Sequence, residues 1–166
     1  MRTKFYFLLA AVAMFGFTAC GDPDEPNPGE AVIKLYQTVD GQDIALEDNA
    51  NITVTETGSM GIVFDGYVEN CTDDFEDIRV KIQGANASSV QFCQGSEGGQ
   101  CLPAAEEYEV AKDVQAEDIA PFQTHCQPAE GAVAGDEYKA TMIFYAKEYP
   151  DNTITVNVTY KYTPAE

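Results

Sequence analysis

The chain has no tryptophan and one histidine, and only nine lysines and arginines stand against twenty-eight aspartates and glutamates, for a net charge of −19 over 166 residues. The missing tryptophan removes the core residue of antibody-type sandwiches and weakens any platform for stacking sugars. The shortage of cations excludes a nucleic acid or an anionic membrane surface as partner, because the chain repels phosphates and acidic headgroups. A lone His125 needs a serine on a sharp turn to make a hydrolytic triad, and no G-x-S-x-G elbow is present, so His125 reads as structural. No C-x₂-C pair suggests zinc, and no repeat suggests a solenoid. Only one long apolar run exists.

That run opens the chain. Arg2 and Lys4 supply a positive end, Phe5 to Phe17 is apolar, and Thr18 and Ala19 precede Cys20. At about thirteen residues it is too short to span a ~30 Å hydrocarbon core, so it is expected to act as an export signal over residues 1–19. Small residues followed directly by cysteine resemble the bacterial lipoprotein signal, with Phe17 standing where leucine is commonest. The resemblance implies a Cys20 that is acylated and becomes the first residue of the mature chain. Several acyl chains, at ~0.8 kcal/mol per buried CH₂, make such an anchor permanent. Losing the two cations of the signal takes the net charge from −19 to −21.

Residues 20–30 carry Asp22, Asp24 and Glu25 among Pro23, Pro26, Pro28 and Gly29, and read as an extended spacer. Acidic residues just behind the lipidated cysteine resemble the signal that carries Bacteroidota lipoproteins to the outer face of the outer membrane. The resemblance places this chain there, facing the exterior.

Residues 31–166 are long enough for one domain with a real core. With Cys20 spent on lipid, Cys71, Cys93, Cys101 and Cys126 are left, an even number in an oxidising compartment, and two disulfides are expected. Of three pairings, Cys93–Cys101 with Cys71–Cys126 is preferred, since Gly95, Gly98 and Gly99 let the chain fold back between the first two.

Alternation of apolar and polar residues marks strands through most of this domain. Ala31 to Tyr36 is the first, ending near the turn dipeptide Asp40-Gly41. Ile44 to Glu47 and Ile52 to Glu56 flank a turn at Asp48 to Asn51. Met60, Ile62, Phe64 and Val68 share a core face with Gly66, where glycine signals a bulge or another backbone close by. Ile78, Val80 and Ile82 follow, then Val90 and Phe92, then a weaker Tyr108 and Val110. Asp113 to Ile119 is the one helical candidate, with an irregular acidic connection as the favoured reading. Tyr138 to Tyr145 and Ile154 to Tyr162 alternate most cleanly, and Tyr149-Pro150-Asp151-Asn152 joins them as a hairpin. The expected fold is all-β: an antiparallel β-sandwich of immunoglobulin or fibronectin type with seven or eight strands.

Carboxylates are abundant without a catalytic pattern. Asp73, Asp74, Glu76 and Asp77 lie on one loop, and a hard cation wants six to eight oxygens, so calcium is the cofactor considered there; the EF-hand offsets are absent. Tyr36, Tyr67, Tyr108, Tyr145 and Tyr149 are the candidates for stacking on a sugar. Asn51-Ile-Thr53, Asn70-Cys-Thr72, Asn86-Ala-Ser88 and Asn157-Val-Thr159 match the glycosylation sequon, which carries no meaning in a bacterial exported protein.

The run Gly66-Tyr-Val-Glu-Asn70, the Cys93 to Cys101 loop and Gly135 before the closing hairpin together resemble small sandwich domains of Bacteroidota lipoproteins, over most of residues 55–162. The resemblance implies the fold and no activity. The expected function is a non-enzymatic envelope module that binds a protein or envelope component through loops at one end. An accessory carbohydrate-binding module of a polysaccharide-uptake system is the alternative, and a small hydrolase using Asp/Glu pairs the least favoured.

Overall fold

A computed structural model describes residues 31–55, 57–58, 61–95, 100–102 and 105–164. The signal, Cys20 and the acidic spacer lie outside the described residues, as does Met60. Among the described residues eleven strands form two sheets packed face to face. They are β1 (Ile33–Val39), β2 (Gln42–Leu46), β3 (Ala50–Val54), β4 (Thr57–Gly58), β5 (Gly61–Asn70), β6 (Glu76–Gln83), β7 (Val90–Gln94), β8 (Glu107–Val114), β9 (Ile119–Cys126), β10 (Glu137–Ala146) and β11 (Thr153–Lys161). The first sheet runs β2-β1-β5-β9-β7 with β4 on β5, and the second β3-β11-β10-β6-β8. The β-sandwich expected from sequence is present, with more strands than the seven or eight anticipated.

The largest addition is β9. Pro121 stands inside it, and proline argues against a central strand because it brings no N–H to the ladder. The position tolerates it. The Pro121 carbonyl accepts from the Gly95 N–H at 2.9 Å, just past the last residue of β7. The proline nitrogen lies on that same edge of β9, opposite Gly95, where the β7–β9 pairing has ended at Gln94 and Phe122, so at most the last bond of the ladder is forgone. The chain is otherwise antiparallel, but β3 runs parallel to β11. Asp48 and Asn49 set that pair: the Thr155 N–H donates to Asp48 Oδ1 at 2.8 Å, and the Asn49 N–H donates to the Thr155 carbonyl at 2.7 Å.

Turn chemistry places the connections where the sequence suggested. Asp40 and Gly41 both take positive φ, 51° and 73°, which closes β1 and β2 into a two-residue hairpin in register at Val39 and Gln42. Tyr149 to Asn152 closes β10 and β11 with Tyr145 opposite Thr153. Asp113 to Ile119 contains no helix: β8 ends at Val114, a turn follows, and β9 begins at Ile119.

Phe122 on β9 sits at the centre of the core, with its ring 5.6 Å from Phe64, 5.7 Å from Phe92 and 4.9 Å from Phe144. Phe64 and Phe92 belong to its own sheet and Phe144 to the other, so this aromatic cluster joins the sheets in place of a tryptophan. Thr124 and Tyr160, both fully buried, add a hydroxyl–hydroxyl hydrogen bond of 2.6 Å across the same gap. Gly66 lies between β1 and β9. A Cβ there would run into the Tyr36 carbonyl oxygen and lie 3.3 Å from the Phe122 ring, so the close backbone approach read from sequence is real.

Candidate functional site

One end of the sandwich is built around Asn70, the last residue of β5, whose side chain is fully buried. Asn70 Nδ2 donates to the carbonyls of Asp74 at 2.8 Å and Val114 at 2.9 Å. Asn70 Oδ1 accepts from the Thr72 N–H at 2.9 Å and the Thr72 hydroxyl at 3.0 Å. Its backbone N–H donates to Asp118 O, and its carbonyl accepts from the Glu117 N–H. One amide thus ties the β5–β6 loop to the β8–β9 loop. The match of Asn70-Cys-Thr72 to a sequon has a structural reason: asparagine and threonine two residues apart make this turn.

Phe75 follows Asp74, and Ile119 follows Asp118. They are 66% and 54% exposed, among the most exposed large apolar side chains described. Asp73 and Asp74 directly precede Phe75, and Glu117 and Asp118 directly precede Ile119, all four exposed. Each of these exposed apolar side chains thus follows a pair of exposed carboxylates, which give it an acidic rim. Sequence reasoning identified the loop and its charge but gave Phe75, Ile119 and Asn70 no functional role; an aromatic residue within a run of acids was the available signal. Ile33 pairs with Asn70, and the Cys71 N–H donates to Val32 O, so β1 begins at this same end.

The four carboxylates proposed for calcium do not converge. Asp77 is occupied by the protein's own donors: Lys147 Nζ at 3.5 Å, Arg79 at 3.8 Å and the Asp113 N–H at 3.3 Å. Burial works against its ionisation, but these donors outweigh burial and hold its pKa below the usual range. Glu76 alternates to the opposite side of β6 and is buried, with Oε2 lacking a partner. Burial raises its pKa, and Glu148 and Asp74 add to the rise against a hydrogen bond with Thr72. Asp73 and Asp74 point outward on the loop.

Cys93 and Cys101 are bonded, as expected. Cys71 and Cys126 are not bonded to each other, which corrects the second pairing. Cys126 faces Ile62 at the start of β5, and Cys71 follows the end of that strand. Nine residues at about 3.3 Å each put them about 30 Å apart, against the 4.4–6.8 Å between Cα atoms that a disulfide spans. Cys126 is fully buried, and burial pushes its thiol pKa up to about 11.

His125 lies on β9, 3% exposed, beside the Cys93–Cys101 bridge. Its Nε2 is 3.3 Å from Gln123 Oε1, while Nδ1 is buried without a partner. Burial lowers its pKa, and Asp65 opposes the shift. The sequence placed His125 next to Cys126; the fold places it next to Cys93 and Cys101, through the β7–β9 pairing.

Most of the candidate sugar-stacking tyrosines use their ring faces within the domain. Tyr36 and Tyr67 stack on each other, 4.7 Å between centroids, and Tyr108 stacks on Phe92. Lys81 lies over the Tyr145 ring at 4.8 Å. Tyr149 is half-buried against the core.

No known protein family matches the chain, and no curated protein does either. Among solved structures it is similar to the N-terminal domain of PorA, at 20% identity and a TM-score of 0.47, over 80% of this chain and 99% of that one. It is also similar to PapD-like domain 7 of human CEP192, at 13% identity and a TM-score of 0.41, over 91% of this chain and 98% of that one. A family 123 glycoside hydrolase from Clostridium perfringens matches at 7% identity and a TM-score of 0.42, over 71% of this chain and 23% of that one. These likenesses are of outline; the sandwich itself rests on its two sheets and their shared core.

Proposed function

We propose that this chain is a non-enzymatic binding module of the cell envelope, anchored at the outer membrane through lipid on Cys20, and that it engages a protein through the loop end built on Asn70. The observation that carries this reading is the pair Phe75 and Ile119, each exposed at the end of one of two loops that one buried amide holds together. Large apolar side chains held on an ordered base are what protein interfaces use as anchors, and fixing the loops beforehand lowers the entropy lost on binding. The acidic rim selects a partner with an apolar pocket and basic surroundings.

A glycan-binding module draws less support, because the tyrosines that would stack on sugars are largely committed to contacts inside the domain. Photo-crosslinking in intact cells tests the protein reading. A crosslinking residue at position 75 or 119 should give a discrete protein adduct that weakens with salt, and one at Val133, on a loop at the opposite end, should give none. Absence of any adduct at 75 and 119, or equal adducts at all three, rejects it. Protease shaving of the same cells tests the exterior location: protection of the chain in the outer-membrane fraction rejects surface display.

A further inference from the structure

We infer that Cys93, Cys101 and His125 form a metal site that the disulfide holds closed: reduction of the bridge exposes a Cys₂His set for one borderline or soft cation such as Zn²⁺. The inference is independent of the partner reading above. Among the described residues this is the one group of three or more His, Cys, Asp or Glu residues whose ligand atoms share a common neighbourhood, all lying within 4.8 Å of one another. A tetrahedral site with bonds of about 2.3 Å to sulfur sets its ligand atoms about 3.7 Å apart, so small side-chain rotations suffice.

The pleat assembles the set. Gln91 pairs with His125 and Cys93 with Gln123, so all four share one face of the β7–β9 pair. Cys101 reaches that face through its antiparallel bridge to Cys93. The Gln94 N–H donates to Gln100 O and the Leu102 N–H to Phe92 O, and these backbone bonds hold Cys101 in place.

His125 supplies the second observation. It is 3% exposed, and its Nδ1 is buried with no hydrogen-bond partner. A buried ring nitrogen left unpaired carries a desolvation penalty unless something else uses it. Gln123 Oε1, 3.3 Å from Nε2, accepts a hydrogen bond from the Nε2–H, which leaves the Nδ1 lone pair available. That is how metal-binding histidines are usually oriented, with the far nitrogen donating to an acceptor. The ligands are two thiolates and one imidazole, with a fourth position for water, a set suited to zinc or another thiophilic ion rather than to calcium.

The chemistry balances with a dithiol reductant. Its thiolate attacks one sulfur of the bridge, a mixed disulfide forms, and its second thiol resolves that intermediate. Two electrons pass to Cys93 and Cys101, the reductant leaves as its own disulfide, and two thiols remain. A divalent cation then displaces their two protons and takes the imidazole lone pair.

The test uses the full chain, with Co²⁺ as a spectroscopic stand-in for Zn²⁺. After anaerobic reduction with a phosphine, Co²⁺ should produce thiolate-to-cobalt charge-transfer absorption saturating near one ion per chain, and Zn²⁺ should bleach it; the oxidised chain should give none. Because reduction alone could unfold the domain, near-ultraviolet circular dichroism is read alongside. His125→Gln and Gln123→Met should each weaken binding by about tenfold or more, the second from a surface position that leaves the core intact. The idea is overturned if the reduced chain gives no such band. It is equally overturned if the band survives in Cys93→Ser/Cys101→Ser, which would trace it to the other cysteines of the chain, or if neither the His125 nor the Gln123 substitution alters affinity.

Discussion

The β10–β11 hairpin and strand β9 fill comparable places in the two sheets, yet only the hairpin announces itself. In β10 and β11 every second residue is apolar, from Tyr138 to Phe144 and from Val156 to Tyr160, and each faces the core. Strand β9 presents Ala120, Phe122, Thr124 and Cys126 to the same core, with Pro121 among them. It carries the central aromatic ring, the hydroxyl bonded across to Tyr160, and the buried histidine. The hairpin packs by repetition of large apolar side chains, whereas β9 packs by individual fits and carries the buried histidine on its other face.

The comparison breaks first at Phe122. Phe122→Ala should remove about 3–5 kcal/mol of stability in denaturant titration, at least as much as Met142→Ala on the hairpin. A milder loss than Met142→Ala would move the centre of the core into the hairpin sheet. Asn70→Ala, at the end of β5, strips the donor from two carbonyls and the acceptor from Thr72. It should cost about 1–3 kcal/mol, and amide exchange should rise in both loops. Exchange rising in one loop only would show that the loops are held separately. Thr124→Val leaves the Tyr160 hydroxyl buried without its partner and should cost about 1–3 kcal/mol, with Tyr160→Phe in the same background restoring part of the loss.

The alkaline response of Cys126 sharpens the contrast further. Burial keeps its thiol protonated in the folded chain up to about 11, above the ordinary thiol value of 9.0. The folded state therefore holds a proton that the unfolded state has released. This contribution is complete below pH 9 and is lost as pH climbs from 9 towards 11. Cys126→Ala should flatten the fall of melting temperature over that interval, and an unchanged slope would assign the fall to the tyrosines. The smallest effect belongs to Pro121→Thr. With its nitrogen at the end of the β7–β9 ladder, the change should destabilise by only about 0.4–1 kcal/mol in denaturant titration, through added freedom of the unfolded chain.

What could be read from sequence divides along the same line. The sandwich, the hairpins at Asp40-Gly41 and Tyr149 to Asn152, the crowding at Gly66 and the Cys93–Cys101 bridge all follow from local pattern or short spacing. The Cys71–Cys126 pairing failed because counting cysteines carries no information about register, and β5 separates the two by its whole length. The surroundings of the acidic loop were hidden for a related reason: alternation along β6 sends Glu76 and Asp77 to opposite faces, and Lys147, distant in sequence, lies beside Asp77. His125 was visible as a rarity, but its neighbours are set by cross-strand pairing. Asn70 looked like any polar loop residue until its four side-chain bonds were in view.

The start of β1 opposite Asn70 carries a mechanical consequence. A pull on the residues before Ile33, resisted by a partner gripping Phe75 and Ile119, would act on two adjoining strands from the same end. The β1–β5 hydrogen bonds would then open one after another like a zip, where traction from opposite ends would load them together in shear. A domain tethered and gripped in this way yields at low force, and β1, lying between β2 and β5, is the strand that would peel first.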